Sequence, residues 1–96
     1  METYELVITG SARKSVKKLP REAREEILGA GKILEKNPFA GEKLSGSLHF
    51  LYTFHFRVEK VEYRLAYTIR TDEKQIVIHL AHTRENFYDK LRRLFR

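Results

Sequence analysis

The sequence predicts an α+β fold of two layers. An antiparallel β-sheet, built from an N-terminal strand plus a three-strand meander, packs with an N-terminal helical pair and a C-terminal helix. Three observations predict it. Two runs that alternate with period 2, residues 48–58 and 61–69, are separated only by Glu59-Lys60, and a third β-prone run follows at 75–81. Helical spacing appears twice before these runs and once after them. No Gly-, Pro- or Ser-rich stretch divides the 96 residues, so they read as a single domain over 1–96, with a core large enough to fold unaided.

The elements follow in order. Tyr4 to Ile8 is a short β-prone run ended by Thr9-Gly10. Ser11 is expected to cap a helix through Lys18, with Ala12, Val16 and Leu19 at roughly helical spacing. Pro20 suits the first turn of a second helix, because its missing N–H would have no partner there anyway. In that helix Ala23, Ile27, Ala30 and Leu34 recur at i, i+4, i+7 and i+11, widened by Leu28 and Ile33. Gly29 and Gly31 cost it about 1 kcal/mol each relative to alanine, which points to close packing there. Asn37-Pro38 ends the helix, since the residue before proline is driven out of the α region. Residues 39–47 are then a connecting loop.

In the first meander strand, Leu48, Phe50, Tyr52, Phe54, Phe56 and Val58 face one way. His49, Leu51, Thr53, His55 and Arg57 face the other. The second strand puts Val61, Tyr63, Leu65, Tyr67 and Ile69 on one side, and Glu62, Arg64, Ala66, Thr68 and Arg70 on the other. A turn at Thr71 to Lys74 leads into Gln75–Ala81, apolar on both faces and so a central strand. Asn86 to Phe95 is helical by spacing, with Phe87, Leu91 and Leu94/Phe95 inward. The N-terminal strand joins the edge of the meander, and the helices are expected to pack on its aromatic face.

Composition narrows the function classes. The net charge is +6. Residues 11–36 hold eight Lys/Arg against four Glu, and residues 84–96 hold five against two acids, so the surplus lies in the first helical region and the tail. Such a chain attracts polyanions, because contact with phosphates releases condensed counterions; the plainer reading is a solvated helix surface. With no cysteine there are no disulfides, thiolate metal sites or Cys nucleophile. No apolar run approaches the ~20 residues of a membrane helix, and the chain enters a strand at once, with no signal peptide visible, so the cytosol is the default compartment. No glycine-rich phosphate loop is present. The histidines, at 49, 55, 79 and 82, lack a recognised zinc spacing, and His79 and His82 point to opposite faces if their strand is regular. No metal or other cofactor is expected.

One set of residues stands out. His55 and Arg57 are neighbours on a strand face, and Arg64 lies on the same face of the next strand. Counting through the hairpin, Arg57 faces roughly Glu62, and Arg64 faces roughly His55. Gathered cations repel unless something holds them, and a phosphate would, since guanidinium forks match its oxygens. The tail adds His82, Arg84 and Tyr88, each of which alone has an ordinary structural reading: a strand end, a first-turn surface residue, a half-buried helix tyrosine.

The layout resembles the RelE/ParE superfamily of small toxins from type II toxin–antitoxin pairs, over nearly the whole chain. The pieces that carry the resemblance are YELVIT, SARKSVKKLP, a helix ending at KNP, then GEKLSG, FHFRVEKVEYRLAYTI and AHTRENFYDKL. EYRLAY, with the YR-x-x-Y pattern in the third strand, is the most specific. Resemblance to the RelE-like branch implies a metal-independent endoribonuclease that cuts mRNA in the ribosomal A site. In that chemistry an RNA 2′-OH attacks the neighbouring phosphate. The matching positions here are His55, Arg57 and Arg64, then His82 or Arg84, then Tyr88. His55 or Tyr88 would transfer a proton, Arg57 and Arg64 would stabilise the phosphate, and His82 or Arg84 would assist the leaving oxygen. Alternatively, Tyr88 would stack on a base. The resemblance also implies a cognate antitoxin, with operator DNA bound only through that complex. The alternatives are a ParE-like inhibitor of DNA gyrase without RNase activity, and a non-catalytic RNA- or protein-binding module of the same fold.

Overall fold

The structure, a computed structural model, describes residues 3–96. The elements in chain order are β1 (Glu5–Ile8), α1 (Gly10–Lys17), α2 (Arg21–Lys36), a 3-10 turn (Pro38–Ala40), β2 (Glu42–Lys43), a 3-10 turn (Gly46–Leu48), β3 (Tyr52–Val58), β4 (Val61–Arg70), β5 (Gln75–Thr83) and α3 (Phe87–Leu94). The sheet has the order β1-β5-β4-β3-β2. β3, β4 and β5 form the expected antiparallel meander, and β1 joins its β5 edge in parallel, with Glu5 opposite Gln75 and Ile8 opposite Ile78. Among the described residues, no helix is long and apolar enough to cross a membrane.

Local chemistry sets the boundaries. Thr9, not Ser11, caps α1: its hydroxyl accepts from the Ala12 N–H at 3.1 Å. The Ser11 hydroxyl instead donates to the His79 carbonyl at 3.1 Å and ties α1 to β5. Pro20 stands at the N-cap of α2, and Asn37 at its C-cap, where its side chain accepts from the Phe39 N–H at 3.3 Å. Of the two α2 glycines, close packing explains Gly31, where a Cβ would lie 2.8 Å from Leu6 Cδ2; Gly29 has open space beside it.

The core has two parts, one on each side of the sheet. On one side Ala12, Leu19, Ala23, Ile27, Ala30 and Leu34 of the helical pair meet Tyr63, Leu65, Tyr67, Ile76, Ile78 and Ala81. Tyr52, Phe54, Phe56 and Val58 of β3 pack there half-buried. On the other side Leu51, Ala66 and Leu80 receive Phe87 and Leu91 of α3. The C-terminal helix thus lies against the face opposite α1 and α2, rather than beside them. The reason is in the residues: Ala66 and Leu80 make a shallow apolar seat that takes the Phe87 ring, which is fully buried.

Two further differences bear on the site. Residues 48–51 do not extend β3; Gly46, with φ +70°, starts a 3-10 turn in which the His49 N–H donates to the Gly46 carbonyl at 3.1 Å, and a further turn follows in which the Leu51 N–H donates to the Leu48 carbonyl at 3.0 Å. His49 therefore lies in this turn and not on a strand. In β5 the register slips, because Ala66 pairs with Leu80 while Tyr67 pairs with Ile78. His79 is the extra residue of this bulge. It turns to the α3 side, its Nε2 3.0 Å from the Thr68 hydroxyl and its ring edge-on to Phe95 at 5.2 Å. The bulge puts His79 and His82 on the same face, where a regular strand would have separated them.

Candidate functional site

The two-residue Glu59-Lys60 connection fixes the pairing of β3 with β4, and hence the site. His55 lies directly opposite Arg64, and Arg57 opposite Glu62. On the other side of β4, Arg64 lies directly opposite His82. Residues paired across strands point to the same face, so His55, Arg64 and His82 form one row over three strands. With strands about 4.8 Å apart, the two imidazoles flank the guanidinium from positions roughly 10 Å from each other. The row lies on the face that α3 partly covers, just beyond the helix's N-terminal end.

Arg64 is the most enclosed member, its side chain 12% exposed. Its Nη1 donates to the Tyr88 hydroxyl at 2.5 Å, and its carbon Cζ stands 5.4 Å from the centre of the Tyr88 ring. Its Nε donates to Glu62 Oε2 at 3.1 Å. Tyr88 is half-buried, set edge-on against Phe87, and reaches Arg64 because α3 begins at Phe87. Asn86 turns the chain into that helix in the left-handed region, at φ 62°, a conformation asparagine tolerates.

Glu62 is the residue that sequence reasoning placed only as a facing charge for Arg57. Its hydrogen bond from Arg64 holds its carboxyl below the usual carboxylate range; burial opposes this, and the charges of Arg64, Arg84 and His55 reinforce it. The carboxylate is therefore ionised at neutral pH. The Glu62 carbonyl accepts from the Arg84 N–H at 3.0 Å, which brings the tail alongside β4. Arg57, Lys60, Glu62, Arg84 and Glu85, with Val61 and Thr83, line an open cleft beside the row.

All six residues singled out from sequence fall in this region. His55 and Arg57 are exposed on β3, Arg64 and His82 are half-buried on β4 and β5, Arg84 is exposed in the loop after β5, and Tyr88 projects from α3. His82 and Arg84 hold different places: His82 completes the row, while Arg84 lines the neighbouring cleft. The His82 Nδ1 lies 3.2 Å from the Thr83 carbonyl and 3.1 Å from the Thr83 hydroxyl, so both of these contacts fall on Nδ1 and neither engages Nε2. His79, fixed by Thr68 and Phe95, has its pKa pushed down by burial and is a neutral packing group. No group of three or more His, Asp or Glu side chains gathers at metal-binding distance among the described residues.

A family model described as ParE-like toxin of type II bacterial toxin–antitoxin system matches residues 6–92. Several solved structures are similar. The toxin–antitoxin complex RelBE2 from Mycobacterium tuberculosis shares 24% identity over 85% of this chain and 99% of that one, with a TM-score of 0.77. The E. coli toxin RelE, in the free state and carrying two arginine-to-alanine changes, shares 21% identity over 93% of this chain and 92% of that one, also at 0.77. The archaeal RelE–RelB complex from Pyrococcus horikoshii OT3 shares 26% identity over 86% and 97%, at 0.65. No curated protein matches the sequence.

Proposed function

The chain belongs to the ParE-like toxins of type II bacterial toxin–antitoxin systems, and on that premise we propose that it is a ribosome-dependent mRNA endonuclease. The observation that carries the proposal is the row His55–Arg64–His82 with the Tyr88 phenol on Arg64. A guanidinium with imidazoles on both sides suits a phosphodiester held centrally, with proton transfer at its attacking and leaving oxygens.

In the proposed reaction His55 takes the proton of the RNA 2′-OH as that oxygen attacks the adjacent phosphorus. Arg64 and Arg57 stabilise the charge on the phosphorane oxygens. The bond from phosphorus to the 5′ oxygen breaks, and His82 Nε2 gives that oxygen a proton. The products are a 2′,3′-cyclic phosphate and a 5′-OH. Tyr88 orients Arg64 and offers its ring face to a base, and Arg84 and Lys60 attract the backbone. An imidazole can both accept and donate a proton, which suits both roles. The ribosomal A site would position the message, so the isolated protein is a weak ribonuclease. The reaction places the protein in the cytoplasm, with translating ribosomes.

The related structures solved as toxin–antitoxin complexes support a cognate antitoxin as partner. It would lay an extended, partly helical segment, acidic and apolar, across the basic helices or the sheet, neutralising charge and blocking the row. Operator DNA would be met only through that complex. A second reading, inhibition of DNA gyrase without RNA cleavage, is favoured by the family model itself, which describes a ParE-like toxin.

One experiment separates the two. The protein is expressed under tight control, mRNA 5′ ends are mapped on translated messages, and gyrase supercoiling is assayed in parallel. Cuts that depend on translation and vanish in Arg64→Ala are expected. Blocked supercoiling with intact mRNA would replace the endonuclease reading with the gyrase one.

A further inference from the structure

Glu62 is out of place in a site for a polyanion. It stands among Arg57, Arg64, Lys60 and Arg84, ionised, with its side chain only 20% exposed, while Glu85 also lines the cleft but makes no hydrogen bond to Arg64. Affinity for RNA gives no reason for a carboxylate there, since it removes one unit of charge from the cleft that would attract phosphates. Orientation does give one. Glu62 and Arg64 are i, i+2 on one face of β4, and the carboxylate accepts the Arg64 Nε–H at 3.1 Å.

A guanidinium has five N–H bonds in a rigid plane. Glu62 takes the one on Nε, and Tyr88 takes one on Nη1. Those two contacts fix the plane at both ends and leave the remaining N–H bonds, one on Nη1 and two on Nη2, as the free fork. Tyr88 alone would leave the plane free to swing about its bond to the phenol. The Glu62 backbone is itself held, through the Arg84 N–H on its carbonyl and the β3 pairing to Arg57.

We propose that Glu62 is a positioning residue, which aims the free fork of Arg64 at the scissile phosphate and, by its charge, weakens RNA binding while doing so. The proposal rests on the endonuclease reading. It separates two quantities that ordinarily move together: loss of Glu62 tightens RNA binding and slows the chemical step.

The test uses two variants of the full chain, Glu62→Gln and Glu62→Ala, each checked by thermal melting. Glu62→Gln keeps an oxygen acceptor for Nε and nearly the same shape, so it reports even where Glu62→Ala is less stable. Binding is measured with a short single-stranded RNA carrying a 2′-deoxy sugar at the cleavage position. Cleavage is measured in single turnover on ribosomes programmed with a cleavable message. Both variants are expected to bind the RNA about two- to fivefold tighter at low salt, with a log–log salt slope steeper by about 0.7. Glu62→Ala is expected to cut about tenfold or more slowly, while Glu62→Gln stays within about threefold of the parent, the difference being one hydrogen bond to a charged group. Parental cleavage by Glu62→Ala, or RNA binding no tighter in either variant, would overturn the proposal. Arg64→Ala is run alongside. If the parent makes no ribosome-dependent cuts that Arg64→Ala abolishes, the endonuclease reading itself fails, and that outcome is distinct from a parent that cuts while the Glu62 variants behave like it.

Discussion

Replacing Tyr67 with phenylalanine is expected to cost about 2–3 kcal/mol of stability. Tyr67 is fully buried in β4, its ring stacked on Tyr52 at 5.6 Å. Its hydroxyl donates to the Pro38 carbonyl at 2.8 Å and accepts from the Gly41 N–H at 3.1 Å, pinning both ends of the turn that carries α2 into β2. Phenylalanine keeps the ring and its stacking but leaves that carbonyl and that N–H without partners, at about 1–1.5 kcal/mol each. For a chain of this size each kcal/mol lowers Tm by about 4–8 °C, so a drop of roughly 8–24 °C is expected. A second signature follows from titration. Burial pushes the Tyr67 phenol up to about 12, with the Gly41 N–H and the nearby Tyr52 as smaller influences. The fold therefore prefers the neutral phenol, so the contribution is intact below the ordinary tyrosine pKa of about 10. Between about pH 10 and 12 it is lost at up to ~1.4 kcal/mol per pH unit. Urea melts at pH 7 to 12 on parent and Tyr67→Phe read both effects. Their stability curves should converge above pH 10. Equal midpoints at pH 7, or curves that stay parallel to pH 12, would refute the reasoning.

Four further outcomes are expected. Gly41→Ala should destabilise by about 1–3 kcal/mol, since a Cβ would strike the Thr53 carbonyl oxygen and come within 2.5 Å of the Tyr67 hydroxyl; a melt comparable to the parent's would count against the packing described. Glu59→Gly should stabilise by about 0.5–1 kcal/mol, because Glu59 sits at φ 57° and the relief of left-handed strain exceeds the added chain entropy, as denaturant midpoints would report. Stability should also fall as pH drops below about 6.5, because burial holds His79 neutral in the fold and the unfolded chain takes the proton first. His79→Gln should flatten that part of the curve. Tyr88→Phe should lower single-turnover cleavage about tenfold with RNA affinity little changed, since it removes the acceptor of one Arg64 hydrogen bond and keeps the ring.

The row across the sheet was half legible in the sequence. A two-residue hairpin leaves little freedom in pairing, so His55 opposite Arg64 and Arg57 opposite Glu62 follow from counting, and the structure has both. His82 opposite Arg64 did not follow, because the β5 register depends on a bulge at His79 that no glycine or proline marks. Glu62 was visible as a charge, but its partner was not. Counting across the hairpin finds Arg57, whereas the hydrogen bond runs along the strand to Arg64. The seat of α3 was also hidden. Alternation marks one face as aromatic and the other as polar, yet the second face holds Leu51, Ala66 and Leu80, enough to bury Phe87 and Leu91. The strand pattern at 48–51 misled in the opposite way: it continues the alternation of β3, but Gly46 turns the backbone before β3 begins.

The parallel pairing of β1 with β5 joins distant parts of the chain. Glu5 meets Gln75 across 70 intervening steps of sequence, whereas β3, β4 and β5 are joined by short turns. The contacts of the meander are local, and the cost of closing the long loop falls on β1 and α1, which pack on β5 from the far end of the chain. Without β1, β5 would be an open edge strand of the sheet, and the space beside Gly31 would lack the Leu6 side chain that fills it. The His55–Arg64–His82 row needs only pairings within the meander, so its register does not depend on β1.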